Sequence, residues 1–198
     1  MDPQDIKITA EPLDFESCRF AVSQPVYPGR SFYFGSPEKA PGSPLIEELF
    51  AIEGVRSVLV QDNIVTVTTM GVEDWRPIAK QIGGAIRNVL TSGRPAISDE
   101  IARNLPSEEV IRWKVETLLA NEINPAIASH GGMCELIDVK GNEVFLRLGG
   151  GCQGCGAAKM TLKLGIERAI REAVPEVGAI LDTTDHAAGR NPYYAPAP

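Results

Sequence analysis

Apolar and polar residues alternate in two pairs of short segments, one pair in each half of the chain. Residues 55–60 and 64–69 form the first pair, and residues 133–139 and 143–148 form the second. Alternation with a period of two predicts β-strands that bury one face. The connections within each pair are short and polar, so each half is expected to contain an antiparallel hairpin.

Apolar residues at helical spacing flank both predicted hairpins. A short helix is expected from Ser43-Pro44, and a longer one after Asp74, which can cap it. Around the second hairpin, one helix is expected after Ser107 and another from about residue 156. Pro125 is expected to perturb the end of the helix that starts at Ser107.

Both halves therefore have the predicted order helix, hairpin, helix. The predicted fold class is α+β, with two small domains in which a short β-sheet packs against helices. Residues 177–181 are expected to add one more strand to the second domain. Trp75 and Trp113 stand on predicted helices and are expected to pack against the core.

The predicted domain organisation follows from proline positions and from loss of periodicity. Residues 1–92 form the first domain, and residues 93–106, with little periodicity and a proline near each end, form a linker. Residues 107–182 form the second domain. Residues 183–198 are expected to be a flexible tail.

Composition and charge narrow the function classes. The chain has 198 residues, 43% of them hydrophobic and 23% charged, with a net charge of −7 and a pI near 4.9. This acidity argues against a general binder of nucleic acid or of anionic membranes. No apolar run is long enough to span a bilayer, and no export or transit signal is visible. Four cysteines are too few for a disulfide scaffold, so we expect a reducing, cytoplasmic location.

Two of the cysteines carry the strongest chemical signal. Cys152 and Cys155 lie two residues apart in the glycine-rich segment 149–156, between a predicted strand and a predicted helix. Backbone N–H groups and the dipole at a helix N-terminus favour thiolate over thiol. The corresponding turn of the first half, residues 70–74, contains no cysteine. The chemistry is therefore expected in the second half.

Three roles are open for this cysteine pair. The thiols could simply pack in the turn, although so many glycines leave little to pack against. They could form a dithiol that opens a helix, as in thioredoxin-like oxidoreductases, although the α-β-β-α order differs from a βαβ unit. They could also bind metal, in a zinc-stabilised adaptor or an iron–sulfur protein, but both kinds of site want four ligands. No histidine or second pair of cysteines has zinc-ribbon spacing, so the simplest completion is the same turn from a second protomer.

Several runs of residues resemble the C-terminal NifU-like domain of Nfu proteins. They are residues 124–132, 134–136, 148–155, 161–167 and 174–177, and the tail that follows is similar to that of bacterial members. The first half resembles the separate Nfu N-terminal domain, in residues 43–45, 49–55, 63–68 and 74–75. These combinations are far more specific than two spaced cysteines alone.

The resemblance implies an iron–sulfur cluster scaffold or carrier, not an enzyme. In that family the paired cysteines hold a 4Fe–4S cluster between two protomers, which assigns Cys152 and Cys155 as the ligands. The implied partners are a second copy of the chain, apo iron–sulfur proteins as clients, and upstream cluster-assembly proteins. Neither nucleic acid nor a membrane is implied.

Four other residues are candidates for a part in the site. Cys134 stands on a predicted strand, where a lone cysteine usually belongs to the core. His130 precedes two glycines, where a histidine usually bonds to the backbone. Lys159 and Lys163 are expected in the first turns of the helix that follows the cysteines. They could offset a cluster's negative charge, but surface lysines are usually just solvated.

Overall fold

The computed structural model of the chain describes residues 6–129, 131–150 and 156–183. It divides the chain into two compact units, Met1–Leu105 and Pro106–Pro198, each with its own hydrophobic core. Both units combine a β-sheet with helices, which confirms the predicted α+β class. Within the described residues, no helix is both long enough and apolar enough to cross a membrane.

The first unit contains a five-stranded antiparallel sheet with the strand order β1-β2-β5-β4-β3. Its strands are β1 (Ile8–Pro12), β2 (Ser17–Val22), β3 (Tyr27–Phe34), β4 (Val55–Asp62) and β5 (Ile64–Thr69). The predicted hairpin is β4–β5. The sequence interpretation missed β2, although Cys18, Phe20 and Val22 alternate there and are buried. Apolar Ala21 on the opposite, exposed face obscures that alternation.

Two helices cover the first sheet: α1 (Pro44–Phe50) and α2 (Trp75–Thr91). As predicted, Asp74 caps α2, because its carboxylate accepts a hydrogen bond from the Arg76 N–H at 3.0 Å. The buried side chains of both helices pack on alternate residues of the central strands. From α1 and α2 these are Leu45, Ile46, Leu49, Ile82, Ile86 and Val89, and from the strands they are Val58, Val60, Val65 and Val67.

The expected linker, residues 93–106, packs on the first unit over most of its length. Ile97 is fully buried in the core of that unit, and the Ser98 N–H donates to the buried Ser43 Oγ at 3.0 Å. The short helix α3 (Asp99–Arg103) follows. The segment lacks periodicity because it contributes only a few buried side chains between turns. The exact domain bounds stay a prediction.

The second unit contains a three-stranded sheet in the order β6-β7-β8. Its strands are β6 (Gly132–Lys140), β7 (Glu143–Gly150) and β8 (Ile180–Asp182). The predicted hairpin is β6–β7, and the predicted extra strand is β8, which pairs with β7 in parallel. Helix α6 (Gly156–Ala173) connects β7 to β8. Strand, helix and parallel strand form a βαβ unit, so the sequence argument that this half lacks one is wrong.

The helix before β6 is longer than expected. Helix α4 (Glu108–Leu118) continues through a π-helical turn (Leu119–Ile123) into α5 (Asn124–Ala128), and Ile123 and Asn124 both have right-handed helical dihedrals. Pro125 lacks an N–H and would clash with the carbonyl four residues earlier in a regular α-helix. The wider π-turn before it lets the chain stay helical. Pro125 therefore alters the helix without ending it.

The two tryptophans have different environments. Trp75 is buried and its Nε1–H donates to the Asp14 carbonyl at 2.8 Å, as expected for a core tryptophan. Trp113 is 66% exposed, so the prediction that it packs against the core is wrong. The buried residues of α4 are Ile111, Val115 and Leu118. Trp113 lies on the other side of the helix.

Substitution of Ile97 by Ala tests whether the expected linker belongs to the first unit. The substitution removes a fully buried side chain, so we expect the free energy of unfolding to fall by about 2–5 kcal/mol. Glu100→Ala, an exposed position in the same segment, is the matched control and should cost about 0.5 kcal/mol or less. Urea unfolding measures both, and equal small effects would show that the segment is a linker.

Candidate functional site

The predicted site lies between two elements whose ends the structure fixes. Strand β7 ends at Gly150 and helix α6 begins at Gly156. Cys152 and Cys155 stand between them and lie outside the described residues, as does His130. Their assignment as ligands therefore stays a prediction.

The end of β7 is held by the start of β6. Gly150 pairs with Gly132, Gly149 with Met133, and Leu148 with Cys134. Val144, Leu146 and Leu148 of β7 are buried in the core of the unit. This pairing and burial fix the position from which the chain enters the cysteine segment.

Asn124 holds the first residues of β6 by two hydrogen bonds. Its Nδ2 donates to the Cys134 carbonyl at 2.9 Å, and its Oδ1 accepts from the Cys134 N–H at 2.8 Å. The side chain amide thus takes the place of a neighbouring strand at this point of the edge strand β6. Sequence interpretation named Asn124 only within the family-like run. An asparagine before proline in a helical pattern was the available signal.

Two of the four cysteines are core residues in separate units. Cys134 is 2% exposed and packs in the core of the second unit, as expected for a lone strand cysteine. Cys18 is fully buried in the first unit. Burial raises the pKa of the Cys18 thiol from 9.0 to about 11, so this thiol is protonated at neutral pH. A protonated buried thiol is a poor metal ligand.

A narrow cleft lies between α6 and the two strands that this helix connects. It is lined by Leu146, Leu148, Lys163, Ile166, Glu167, Ile180 and Asp182. Burial raises the pKa of the Glu167 carboxyl, the charge of Asp182 adds to this rise, and the charges of Lys163 and Arg171 oppose it. Lys163 is thus half-buried beside an acidic residue instead of fully solvated.

Within the described residues, no group of three or more His, Cys, Asp or Glu side chains could hold a metal ion. The side chains of the first turn of α6, including Lys159, are not described. The predicted ligand pair is not among the described residues, and the structure defines the elements on either side of it in sequence, β7 and α6.

Two family models match the chain, one in each unit. The N-terminal domain of the scaffold proteins Nfu/NifU matches residues 6–93, and the NifU-like domain matches residues 115–181, which include Cys152 and Cys155. The chain belongs to the Nfu/NifU-like proteins. The resemblance found in the sequence is thereby confirmed for both halves of this Nfu/NifU-like chain.

Curated relatives of this Nfu/NifU-like chain carry the name Fe/S biogenesis protein NfuA. The protein of that name from Xanthomonas euvesicatoria pv. vesicatoria is 48% identical over 106 residues, which are 52% of this chain and 51% of the relative. The one from Pseudomonas aeruginosa is 49% identical over 85 residues, or 42% and 44% of the two chains. The chain thus spans about half the length of the curated relatives it matches.

Solved structures of related proteins are more distant. A NifU-like protein from Saccharomyces cerevisiae is 20% identical, with a TM-score of 0.41 over 48% of this chain and 84% of that one. Protein SAV1430 from Staphylococcus aureus is 16% identical, with a TM-score of 0.33 over 40% and 96% of the two chains.

Removal of the Asn124 amide should loosen the start of β6. Asn124→Ala deletes both partners of the Cys134 backbone, so we expect a loss of about 1–3 kcal/mol in the free energy of unfolding and faster exchange of the Cys134 amide proton. Asn124→Asp keeps the acceptor for the Cys134 N–H and should retain much of its protection. Equal exchange rates in the wild type and Asn124→Ala would contradict this role.

Ionisation of Cys18 should weaken the first unit at alkaline pH. The unfolded thiol titrates near pH 9.0 and the folded one near 11, so the stability that the neutral buried thiol contributes is complete below pH 9.0. It is lost as pH rises through about 11. Urea unfolding from pH 8 to 11 should show the stability of the wild type falling more steeply than that of Cys18→Ala. Parallel curves would show that the thiol has the same pKa in the folded and the unfolded chain, so that burial does not raise it.

Proposed function

We propose that this Nfu/NifU-like chain is a scaffold or carrier for an iron–sulfur cluster. Cys152 and Cys155 of two protomers would bind one 4Fe–4S cluster and pass it to apo iron–sulfur proteins. The names of the curated relatives support the scaffold or carrier role. The cluster type, the sharing between protomers and the clients are parts of the proposal.

The observation that carries the proposal is the burial of the other two cysteines, Cys18 and Cys134. Cys18 and Cys134 are buried in the cores of different units. Of the four cysteines in the sequence, this leaves Cys152 and Cys155 as the candidate ligands. A 4Fe–4S cluster takes four thiolates, so two chains together supply one set.

The described frame suits a site that must form and release its cargo. Helix α6 is 18 residues long, and its N-terminal end, next to Cys155 in sequence, favours negative charge such as thiolate and cluster. Strand β7 is fixed by β6 and by the core. The strand before the cysteines is thus held in place, and the glycines next to the cysteines in sequence would let the backbone approach a cluster closely.

The proposed action is ligand exchange without catalytic turnover. A cluster held by two thiolates from each protomer leaves when thiolates of a client replace them one at a time. The thiolates of the carrier are neither oxidised nor consumed, so the chain is not an enzyme in this proposal. Thiolates must stay reduced for such exchange, which fits the cytoplasm. Cluster-assembly proteins would load the carrier in the same way.

The second candidate function is a dithiol oxidoreductase, and one observation favours it. The cysteine pair immediately precedes the helix of a βαβ unit, which is where redox-active pairs stand in thioredoxin-like proteins. In that reaction the two thiols would form a disulfide while a disulfide of the substrate is reduced to two thiols. A zinc-stabilised adaptor is the remaining alternative.

Anaerobic reconstitution with iron and sulfide tests the proposal. We expect about four iron and four sulfide per two chains, a broad visible absorption, and a shift from monomer to dimer on sizing chromatography. Cys152→Ala and Cys155→Ala should each abolish all three. Cys134→Ala and Cys18→Ala are the matched controls, since both remove a thiol from the same chain and should retain the cluster.

Other outcomes distinguish the alternatives. Two results would overturn the shared site. One is a full cluster on a chain that stays monomeric, and the other is retention of the cluster by the double variant Cys152→Ser, Cys155→Ser. Reduction of insulin disulfides by the apo-protein, lost in Cys152→Ala, would support the oxidoreductase. Zinc in the purified protein, lost in both Cys152→Ala and Cys155→Ala, would support the adaptor.

Cluster transfer needs a separate measurement. The loaded protein is mixed with an apo iron–sulfur enzyme whose activity returns only when it receives a cluster. We expect the enzyme activity to return faster than with free iron and sulfide. We also expect it to return when an iron chelator is present, because direct transfer does not pass through free iron. Loss of the effect with chelator would show release into solution instead of direct transfer.

A further inference from the structure

An apolar patch lies exposed at one end of the first unit. Its members are Leu13 and Phe15, in the β1–β2 connection, and Met70, which follows β5; they are 43%, 67% and 75% exposed. We call these three residues the Phe15 patch. Neither the family matches nor the proposed function assigns a role to these residues. Grouped apolar exposure of this kind marks an interaction site more often than scattered apolar residues do.

The backbone beneath the Phe15 patch is tightly bonded. The Phe15 carbonyl accepts from the Val72 N–H at 2.8 Å. The neighbouring Asp14 carbonyl accepts from Trp75 Nε1 at 2.8 Å, and the Glu16 carbonyl accepts from the Thr69 N–H at 2.7 Å. Three consecutive carbonyls of the loop are therefore bound, one each, to the last residue of β5, to the segment that follows it and to the first residue of α2. A loop held in this way loses little conformational entropy when a partner binds.

Gly71 sets the position of the aromatic ring. Its φ is +100°, and an added Cβ would lie 3.2 and 3.3 Å from two ring carbons of Phe15. The ring therefore rests against the backbone at Gly71 while most of its surface remains in solvent. A fixed, exposed aromatic ring is the type of side chain that dominates binding energy at interfaces.

Carboxylates outnumber cations around the Phe15 patch. Asp14 and Glu73 are exposed neighbours of the patch in sequence, and one carboxylate oxygen of Asp14, Oδ1, accepts from the Glu16 and Ser17 N–H groups at 2.8 and 2.7 Å. Glu53 precedes Gly54, whose carbonyl accepts from the Met70 N–H at 3.0 Å. Of the cations nearby, Arg76 is bonded to Asp74 at 3.0 Å, and Arg56 is exposed in the bulge of β4 opposite the end of β5. The patch therefore presents an apolar centre with an acidic rim.

We propose that the Phe15 patch is a docking surface for a polypeptide partner that presents an apolar side chain flanked by Lys or Arg residues. The apolar side chain would pack on Phe15 and Met70, and the cations would face Asp14 and Glu73. A second copy of this chain fits less well. A symmetric contact between two such patches would place carboxylates against carboxylates. The proposal is independent of the cluster chemistry.

Binding of labelled peptides to the apo-protein tests the proposal. The probe is a short fluorescent peptide with a Leu-Phe pair between Lys and Arg residues, and the control peptide has Glu and Asp flanks. By fluorescence anisotropy we expect the basic peptide to bind at least about tenfold more tightly than the acidic one. Its affinity should fall as salt is added.

Variants of single residues test whether the basic peptide binds at the Phe15 patch. Phe15→Ser should weaken binding of the basic peptide at least about tenfold. Trp113→Ser is the matched control, because this aromatic residue of the other unit is equally exposed, at 66% against 67%, and should bind the peptide as the wild type does. Glu73→Lys should weaken binding and reduce its dependence on salt. Thermal unfolding checks that each variant is folded, and Met70→Ser replaces Phe15→Ser if that variant is not.

Three outcomes would overturn the proposal. They are no binding of the basic peptide at low salt, equal loss of binding in Phe15→Ser and Trp113→Ser, and concentration-dependent self-association of the wild type that Phe15→Ser abolishes. The last would assign the patch to a second copy. Cluster loading serves as the independent readout, since Phe15→Ser should load as the wild type does.

Discussion

The pairing of β6 with β7 is the interaction on which the second unit depends. The long helix before β6 packs on this hairpin, Asn124 bonds to its first strand, and α6 and β8 follow from its second strand. The hairpin register sets Gly150 opposite Gly132 and so fixes where the chain leaves the sheet. A slip of one residue would turn Val144, Leu146 and Leu148 out of the core. The start of the cysteine segment is therefore determined by core packing.

The four cysteines differ in their relation to the two hydrophobic cores. Two thiols lie in cores, and burial raises the pKa of one of them, Cys18, so that this thiol is neutral at physiological pH. The other two stand in sequence between β7 and the N-terminus of α6, a position where we expect the helix dipole to favour the thiolate. In the proposed function each chain supplies these two thiolates, and a second protomer supplies the other two.

The two units place different chemistry after the second strand of their hairpins. In the second unit the cysteine pair follows β7. In the first unit, Met70 follows β5, and Gly71 supports the ring of Phe15. The segment after β5 thus supports an exposed aromatic ring of the neighbouring β1–β2 connection. Our two proposals assign cluster binding to the second unit and the docking of a partner to the first.

Local pattern was enough for part of the fold. The alternation in β4–β5 and β6–β7, the cap at Asp74 and the extra strand near residue 180 could all be predicted, because each depends on neighbours within a few residues. The pair Cys152 and Cys155 could be singled out for the same reason. Strand β2 could not, because its alternation is short and interrupted by an exposed apolar residue.

Other features depend on contacts between distant residues. The sequence by itself determined the α+β class, the two hairpins and the family to which the chain belongs. Only the tertiary structure decided that β8 pairs in parallel with β7, that Asn124 binds the backbone of Cys134, that Ile97 lies in a core and that Trp113 does not. The physical reason is that burial, strand direction and long-range hydrogen bonds are properties of residue pairs far apart in the chain, whereas periodicity reports only on the element that contains it.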